Sequence, residues 1–281
     1  MTRVEPKLRL GAVLIAGVIV GMLAYTLPLY AGDQSEYHVE EKTVIEIPIV
    51  GEITCLTNSY LAGCQLRETT QIRIHNPIIK SMTDNAGKAS ESRLSDLCDQ
   101  IQWKYDAETN RYVSHTFAEL REMERKKLNA DNAQIDMDSD QNDIADDPSV
   151  DRSILPGEKN KNGYSCRLVE TLVYSDDIDN PIVIHEYYSD EAKALNKITR
   201  ARQDLFDQLG YEDDHVDGLS GLIKQVYESV LSDGEWVRPD GEIVSFEIQM
   251  IDKDRDPLVT IRHNVKVAEI IPYTADHFTL N

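Results

Sequence analysis

Basic residues are scarce in this chain of 281 residues, where 29 Lys and Arg stand against 50 Asp and Glu and leave a formal charge of −21. So acidic a chain repels phosphate backbones and anionic lipid surfaces alike, which argues against nucleic acid as a partner. The excess has a plain consequence, solubility, and a sharper one, affinity for divalent cations. Local catalytic motifs are also missing: there is no G-x-S-x-G elbow, Walker loop, G-x-G-x-x-G turn or C-x-x-C pair. The H-E-Y-Y-S run at His185 places Ser189 where a zinc protease needs its second histidine, so that motif fails. Catalytic groups can assemble from distant residues, so these absences weaken an enzymatic reading without removing it. Phe and Trp are few, 4 and 2, whereas 13 Tyr favour a β-containing fold.

One long apolar run is present, Leu10 to Tyr30, and it carries no charged residue. About 20 such residues make a helix about 30 Å long, enough to cross a bilayer. Arg3, Lys7 and Arg9 precede it and Asp33, Glu36, Glu40, Glu41 and Glu46 follow, so the N-terminus is expected inside and the rest outside. The run is long for a cleaved signal peptide and lacks a small-x-small end, which favours an uncleaved signal anchor in a single-pass membrane protein. The lipid bilayer is then one partner, and Gly17 and Gly21, four apart, offer a face for self-association. The expected divisions are a cytoplasmic N-terminus at 1–9, the transmembrane anchor at 10–30, a stalk at 31–43, a β-rich first half at 44–130, an acidic linker or loop at 131–163, and an α+β second half at 164–281.

Four cysteines, Cys55, Cys64, Cys98 and Cys166, fall on the outer side of that topology. Their even number and an oxidising location predict two disulfides among three possible pairings, with Cys55 to Cys64 favoured and Cys98 to Cys166 the complement. A zinc site would want C-x-x-C pairs, and four buried thiols remain the outcome in a reducing compartment.

Alternation places strands at Thr43–Cys55, with Ile45, Ile47 and Ile49 on one face, and at Thr70–Ile79. Residues 56–63 read as a loop between the two cysteines. A hairpin is expected over Gln100–Asp106 and Arg111–His115, followed by a charged helix opened by a Thr116/Glu119 capping box. A second hairpin spans Tyr164–Tyr174 and Pro181–Tyr188. A helix then runs from a Ser189 cap to Leu209, with Leu195, Ile198, Ala201, Leu205 and Leu209 in one stripe and Gly210 as its stop. A further helix is expected over Gly218–Leu231, and strands over Glu242–Ile251 and Leu258–Ile271. Strands and helices in this order imply an α+β ectodomain with a largely antiparallel sheet and packed helices.

The linker contains D-S-D-Q-N-D-I-A-D from Asp138 to Asp146. Oxygen ligands at alternate positions can curl around a hard cation, which makes Asp138, Asp140, Asn142 and Asp146 candidate calcium ligands. The run resembles the aspartate-rich calcium loops of thrombospondin type 3 repeats, and that resemblance implies calcium as a cofactor. It departs from them where Asp143 or Gln141 takes the place of the turn glycine and no closing Glu follows, so a solvated acidic linker is the preferred reading. Asp252, Asp254 and Asp256 are interrupted by Lys253 and Arg255 and read as a charged turn. His263, on the inward face of the last strand, is expected to be a hydrogen-bonded core or rim residue. The aromatics Trp103, Tyr105, Tyr112, Tyr187, Tyr188 and Trp236 are candidates for a contact patch.

Together these readings predict a single-pass, extracytoplasmic binding or structural component of an envelope or membrane complex, with another protein as its partner. The alternative is a membrane-tethered hydrolase whose site is assembled from dispersed Asp, Glu and His. A cleft with converging carboxylates and a histidine would favour the alternative.

Overall fold

The structure, a computed structural model, describes residues 35–48, 51–76, 90–135, 149–174, 180–210, 239–251 and 256–280, with the side chains of 127–135 excepted. Among the described residues eleven antiparallel strands form one sheet. They are β1 (Ser35–Ile47), β2 (Gly51–Ala62), β3 (Gln65–Ile74), β4 (Ser90–Asp96), β5 (Ile101–Asp106), β6 (Arg111–Thr116), β7 (Ser149–Lys161), β8 (Tyr164–Tyr174), β9 (Ile182–Ser189), β10 (Glu242–Ile251) and β11 (Pro257–Pro272). Among the described residues two α-helices accompany them, α1 (Phe117–Ile135) and α2 (Lys193–Leu209), and a 3-10 turn at Ala275–Phe278 follows the last strand.

The order across the sheet is β6-β5-β4-β3-β2-β1-β11-β10-β9-β8-β7. Every neighbouring pair is consecutive in strand order except β1 with β11, where the two ends of the described chain meet. That pairing makes one continuous sheet of the two halves expected from the sequence. The α+β assignment is therefore corrected to a predominantly β architecture, because strands that looked like separate groups share a single hydrogen-bonded ladder.

The expected membrane helix is corrected as well. Among the described residues no helix is long and apolar enough to cross a membrane; α1 is mostly charged and α2 is apolar along one stripe only. The run Leu10–Tyr30, with Gly17 and Gly21, lies outside the described residues, so the single-pass, extracytoplasmic localisation has no structural support. The stalk expected through residue 43 is instead β1 from Ser35 onward, paired on both edges. The loop expected at 56–63 is the second half of β2, and 149–161 of the expected linker form β7.

Cross-strand register explains the core. Ile184, Ile248, Ile261, Ile45, Ile53 and Ile74 stand directly opposite one another across β9, β10, β11, β1, β2 and β3. Directly paired residues share a face, so these branched side chains form a lateral row at strand spacings of about 4.8 Å. Phe246, Ile182 and Val173 join the same cluster. Along the same face, Val39, Leu61, Leu66, Val244 and Val265 cluster with Ala194, Leu195, Ile198 and Ala201 of α2. The predicted stripe of α2 is buried as expected, and the helix stops at Gly210, whose φ of 71° suits the left-handed cap. Its N-terminus differs: the cap is Ala192, and Ser189 Oγ accepts the Glu191 N–H instead. A third cluster, of Leu97, Phe117, Leu205 and Leu209, joins α1 to α2. The capping box at the start of α1 forms as read, with Thr116 N–H donating to Glu119 and Glu119 N–H to Thr116 Oγ1.

Candidate functional site

The face of the sheet opposite α2 carries a second lateral row. Glu269, His38, Tyr60, Arg67, Leu94 and Trp103 are directly paired across β11, β1, β2, β3, β4 and β5. The 3-10 turn that follows β11 folds back over this row. Glu36, fully buried, anchors it: one carboxylate oxygen accepts the Thr274 N–H at 2.9 Å and the other pairs with His277 Nδ1 at 2.5 Å. Phe278 is buried beneath the turn and stacks on Tyr273.

Tyr60 lies at the centre. Its ring stacks on His38 at 4.6 Å and on His277 at 4.2 Å. His38 is oriented by Glu269 at 3.2 Å, while its Nε2 is shielded from solvent and has no partner among the described residues. Burial, then the carboxylates of Glu36, Glu40 and Glu269, push the Tyr60 phenol above its ordinary range, so it stays an O–H donor at neutral pH. Beside it, Arg67 donates to the Thr279 carbonyl at 2.6 Å, to Ser92 Oγ at 3.1 Å and to the Tyr112 hydroxyl at 2.5 Å. Between the turn and β3 is a cleft of about 230 Å³ lined by Tyr60, Arg67, Thr69, Asp276, His277 and Thr279.

The helix-covered face holds a different cluster. Arg202 of α2 donates to Glu41 at 2.7 Å, to Glu68 at 2.9 Å and to Ser59 Oγ at 2.9 Å. His263 completes it, stacked on Phe246 at 4.9 Å and hydrogen-bonded to Thr43 at 3.0 Å, which is the core role expected for it. Burial works to raise Glu41, but Arg202 and His263 prevail and hold it below the usual carboxylate range. For Glu68 burial outweighs Arg202 and the carboxyl is raised. Burial lowers His263; Glu41 pulls it partly back and Arg202 adds to the drop. Across β7, β8 and β9, Arg152 reaches Glu186 and Thr171, and Tyr188 donates to the same Glu186 at 3.0 Å. Each cluster satisfies itself, as a buried ionic network must, and Arg202 bolts α2 to β1 and β3.

The expected calcium ligands Asp138, Asp140, Asn142 and Asp146 lie outside the described residues, as do Asp252, Asp254, Trp236 and the helix expected at Gly218–Leu231. Among the described residues no group of three His, Cys, Asp or Glu is placed to hold a metal ion. Of the aromatic candidates, Tyr188 is buried, and Tyr105 meets Tyr112 edge-on at 5.4 Å.

Two disulfides were expected, and both the number and the pairing are corrected. Cys64 bonds to Cys98, whereas Cys55 and Cys166 are free and buried. Cys55 sits in the middle of β2 and Cys64 in the turn just beyond its end; the extended chain from Cys55 to Ala62 alone spans about 23 Å, far beyond disulfide reach. The β3–β4 register instead brings Cys64 beside Leu97, whose N–H donates to the Cys64 carbonyl at 3.1 Å. Cys166 on β8 is separated from the β4 end by β3, β2, β1, β11, β10 and β9.

Sequence reading missed the cleft because Glu36 and His38 fell in the expected stalk and Tyr60 in the expected loop, while 272–281 were assigned no element. A signal was present in S-E-Y-H-V-E, where polar Glu36 and His38 alternate with Tyr37 and Val39, the pattern of a strand with one polar face.

Fold and site together define a class: a single-sheet antiparallel β protein with a small polar cleft on the face opposite its packed helix. No protein-family model matches the chain, and no curated protein matches it. Among solved structures, a LolA superfamily protein from Nitrosomonas europaea aligns over 95% of this chain and 96% of its own, at 9% identity and a TM-score of 0.24. A likeness of that degree fixes neither fold nor ligand.

Proposed function

We propose that this protein is a binding component, and that the cleft between β3 and the C-terminal turn is where it holds a small polar ligand. The observation that carries the reading is Arg67. Other shielded arginines pair with carboxylates: Arg93 with Glu91, Arg152 with Glu186, and Arg202 with Glu41 and Glu68. Half-buried Arg67 donates only to neutral oxygens, and no carboxylate among the described residues pairs with it. A guanidinium has five N–H donors, so two of its own remain for a guest. Rigid walls favour binding, since Tyr60, Arg67 and His277 are each held by stacking or hydrogen bonds before a ligand arrives. The test is a heteronuclear NMR titration of the full chain with a panel of small acids, amines, amino acids and sugars. Shifts confined to residues around Tyr60, Arg67 and His277 support the reading, and a panel that leaves them unmoved overturns it.

A second reading, hydrolysis, is favoured by one feature: buried Glu36 orients the His277 imidazole at the cleft, as a carboxylate does for a general base. Turnover of activated esters that disappears in both Glu36→Gln and His277→Asn would support it; equal rates in wild type and variants would dismiss it.

A further inference from the structure

Resting on the binding reading of the cleft, we infer that its ligand is a small zwitterion of the α-amino-acid kind. Two charges of opposite sign line the same space. Arg67 supplies a guanidinium with unused donors and no carboxylate partner among the described residues. Asp276, one residue before His277 in the turn, presents a carboxylate that is exposed and has no side-chain partner among the described residues. The two are not paired with each other, although one cleft holds both. A simple anion would satisfy Arg67 and be repelled by Asp276, and a simple cation would meet the reverse. A molecule carrying a carboxylate and an ammonium a few ångströms apart satisfies both, and its approach is not penalised by the protein's charge of −21. The remaining walls suit such a guest: Thr69 offers a hydroxyl, the raised Tyr60 phenol an O–H donor, and His277 a ring nitrogen not engaged by Glu36. A volume of about 230 Å³ accommodates a small amino acid and excludes a larger peptide.

The experiment is isothermal titration calorimetry of the full chain with glycine, acetate and methylamine at neutral pH. Glycine is expected to bind at least about tenfold more tightly than either fragment. Asp276→Asn should remove that advantage while leaving acetate binding in place, and Arg67→Lys should weaken glycine and acetate together. Arg67 also ties the turn to β3, so its variant is read beside a melting curve; the Asp276 side chain bonds to nothing among the described residues, and its variant keeps the test decisive if Arg67→Lys unfolds. Acetate binding as well as glycine, with Asp276→Asn silent, would overturn the zwitterion while leaving a binding cleft. Methylamine binding as well as glycine would likewise overturn it. Glycine binding indifferent to both variants would place the ligand elsewhere, and no heat from any probe, with an unmoved NMR panel, would overturn the cleft as a binding site.

Discussion

Nη2 of Arg202, on α2, lies 2.7 Å from Oε2 of Glu41, on β1. The same guanidinium bonds Glu68 of β3, so one cation holds two strands to the helix and keeps two carboxylates apart. Replacing it with Met leaves those carboxylates facing each other with no counter-charge. Arg202→Met is expected to cost about 3 kcal/mol in urea unfolding at neutral pH. The deficit should shrink as pH falls, because Glu68, raised by burial, takes up a proton before an ordinary carboxylate does. An undiminished deficit at low pH would mean that lost packing, not charge, causes the loss.

His263 makes stability depend on pH in a defined direction. Its folded value lies below the ordinary 6.5, so as pH falls the unfolded chain takes its proton first. The contribution is whole above the unfolded value and is lost as pH falls from there toward the folded value. Wild type should therefore lose stability between about pH 7 and pH 5.5 more steeply than His263→Gln, when melting temperatures of the two are compared across that range. Parallel curves would show that another group governs the slope.

The Cys64–Cys98 bond closes a loop with a sequence separation of 34. Restricting the unfolded chain to that extent stabilises by about 3 to 4 kcal/mol in the chain-entropy account. The double variant Cys64→Ser/Cys98→Ser should lose about that much in denaturant titration. Alkylating the unfolded, unreduced protein should modify Cys55 and Cys166 alone. In the native state both should resist, since burial raises each thiol above its ordinary range and shields it.

Gly241 enters β10 at a φ of 103°, and a Cβ there would stand 2.4 Å from the Ser189 carbonyl carbon. Neither the backbone angle nor that backbone contact can yield cheaply. Gly241→Ala is expected to destabilise by more than about 2 kcal/mol, measured by thermal melting, by prying β10 from the end of β9.

Much of the fold was legible in the sequence wherever a segment buries one face against its immediate neighbours. Alternation identified the β5–β6 and β8–β9 hairpins and the strands that became β10 and β11. Helical spacing from Leu195 to Leu209 identified α2, and Thr116 with Glu119 marked the start of α1. These patterns depend on contacts within a few tens of residues, so composition and period are enough to read them. Ser35–Thr43 was different. With Glu36, His38 and Glu40 on one side it read as a stalk, because the element that covers that side is the turn after β11, at the far end of the chain.

The pairing of β1 with β11 is what only the tertiary structure decided, and the rest follows from it. It merged two apparent halves into one sheet and laid the C-terminal turn across Tyr60 and Arg67. The cysteine partners were set by long-range register too, since an extended strand holds Cys55 and Cys64 apart while β3 and β4 bring Cys64 to Cys98. Local sequence determined which segments are strands and which stripe of α2 is apolar, because those depend on side-chain periodicity. Which strands meet, and therefore which charges share a cleft, was decided by hydrogen bonds between residues more than two hundred positions apart, and no local pattern encodes those.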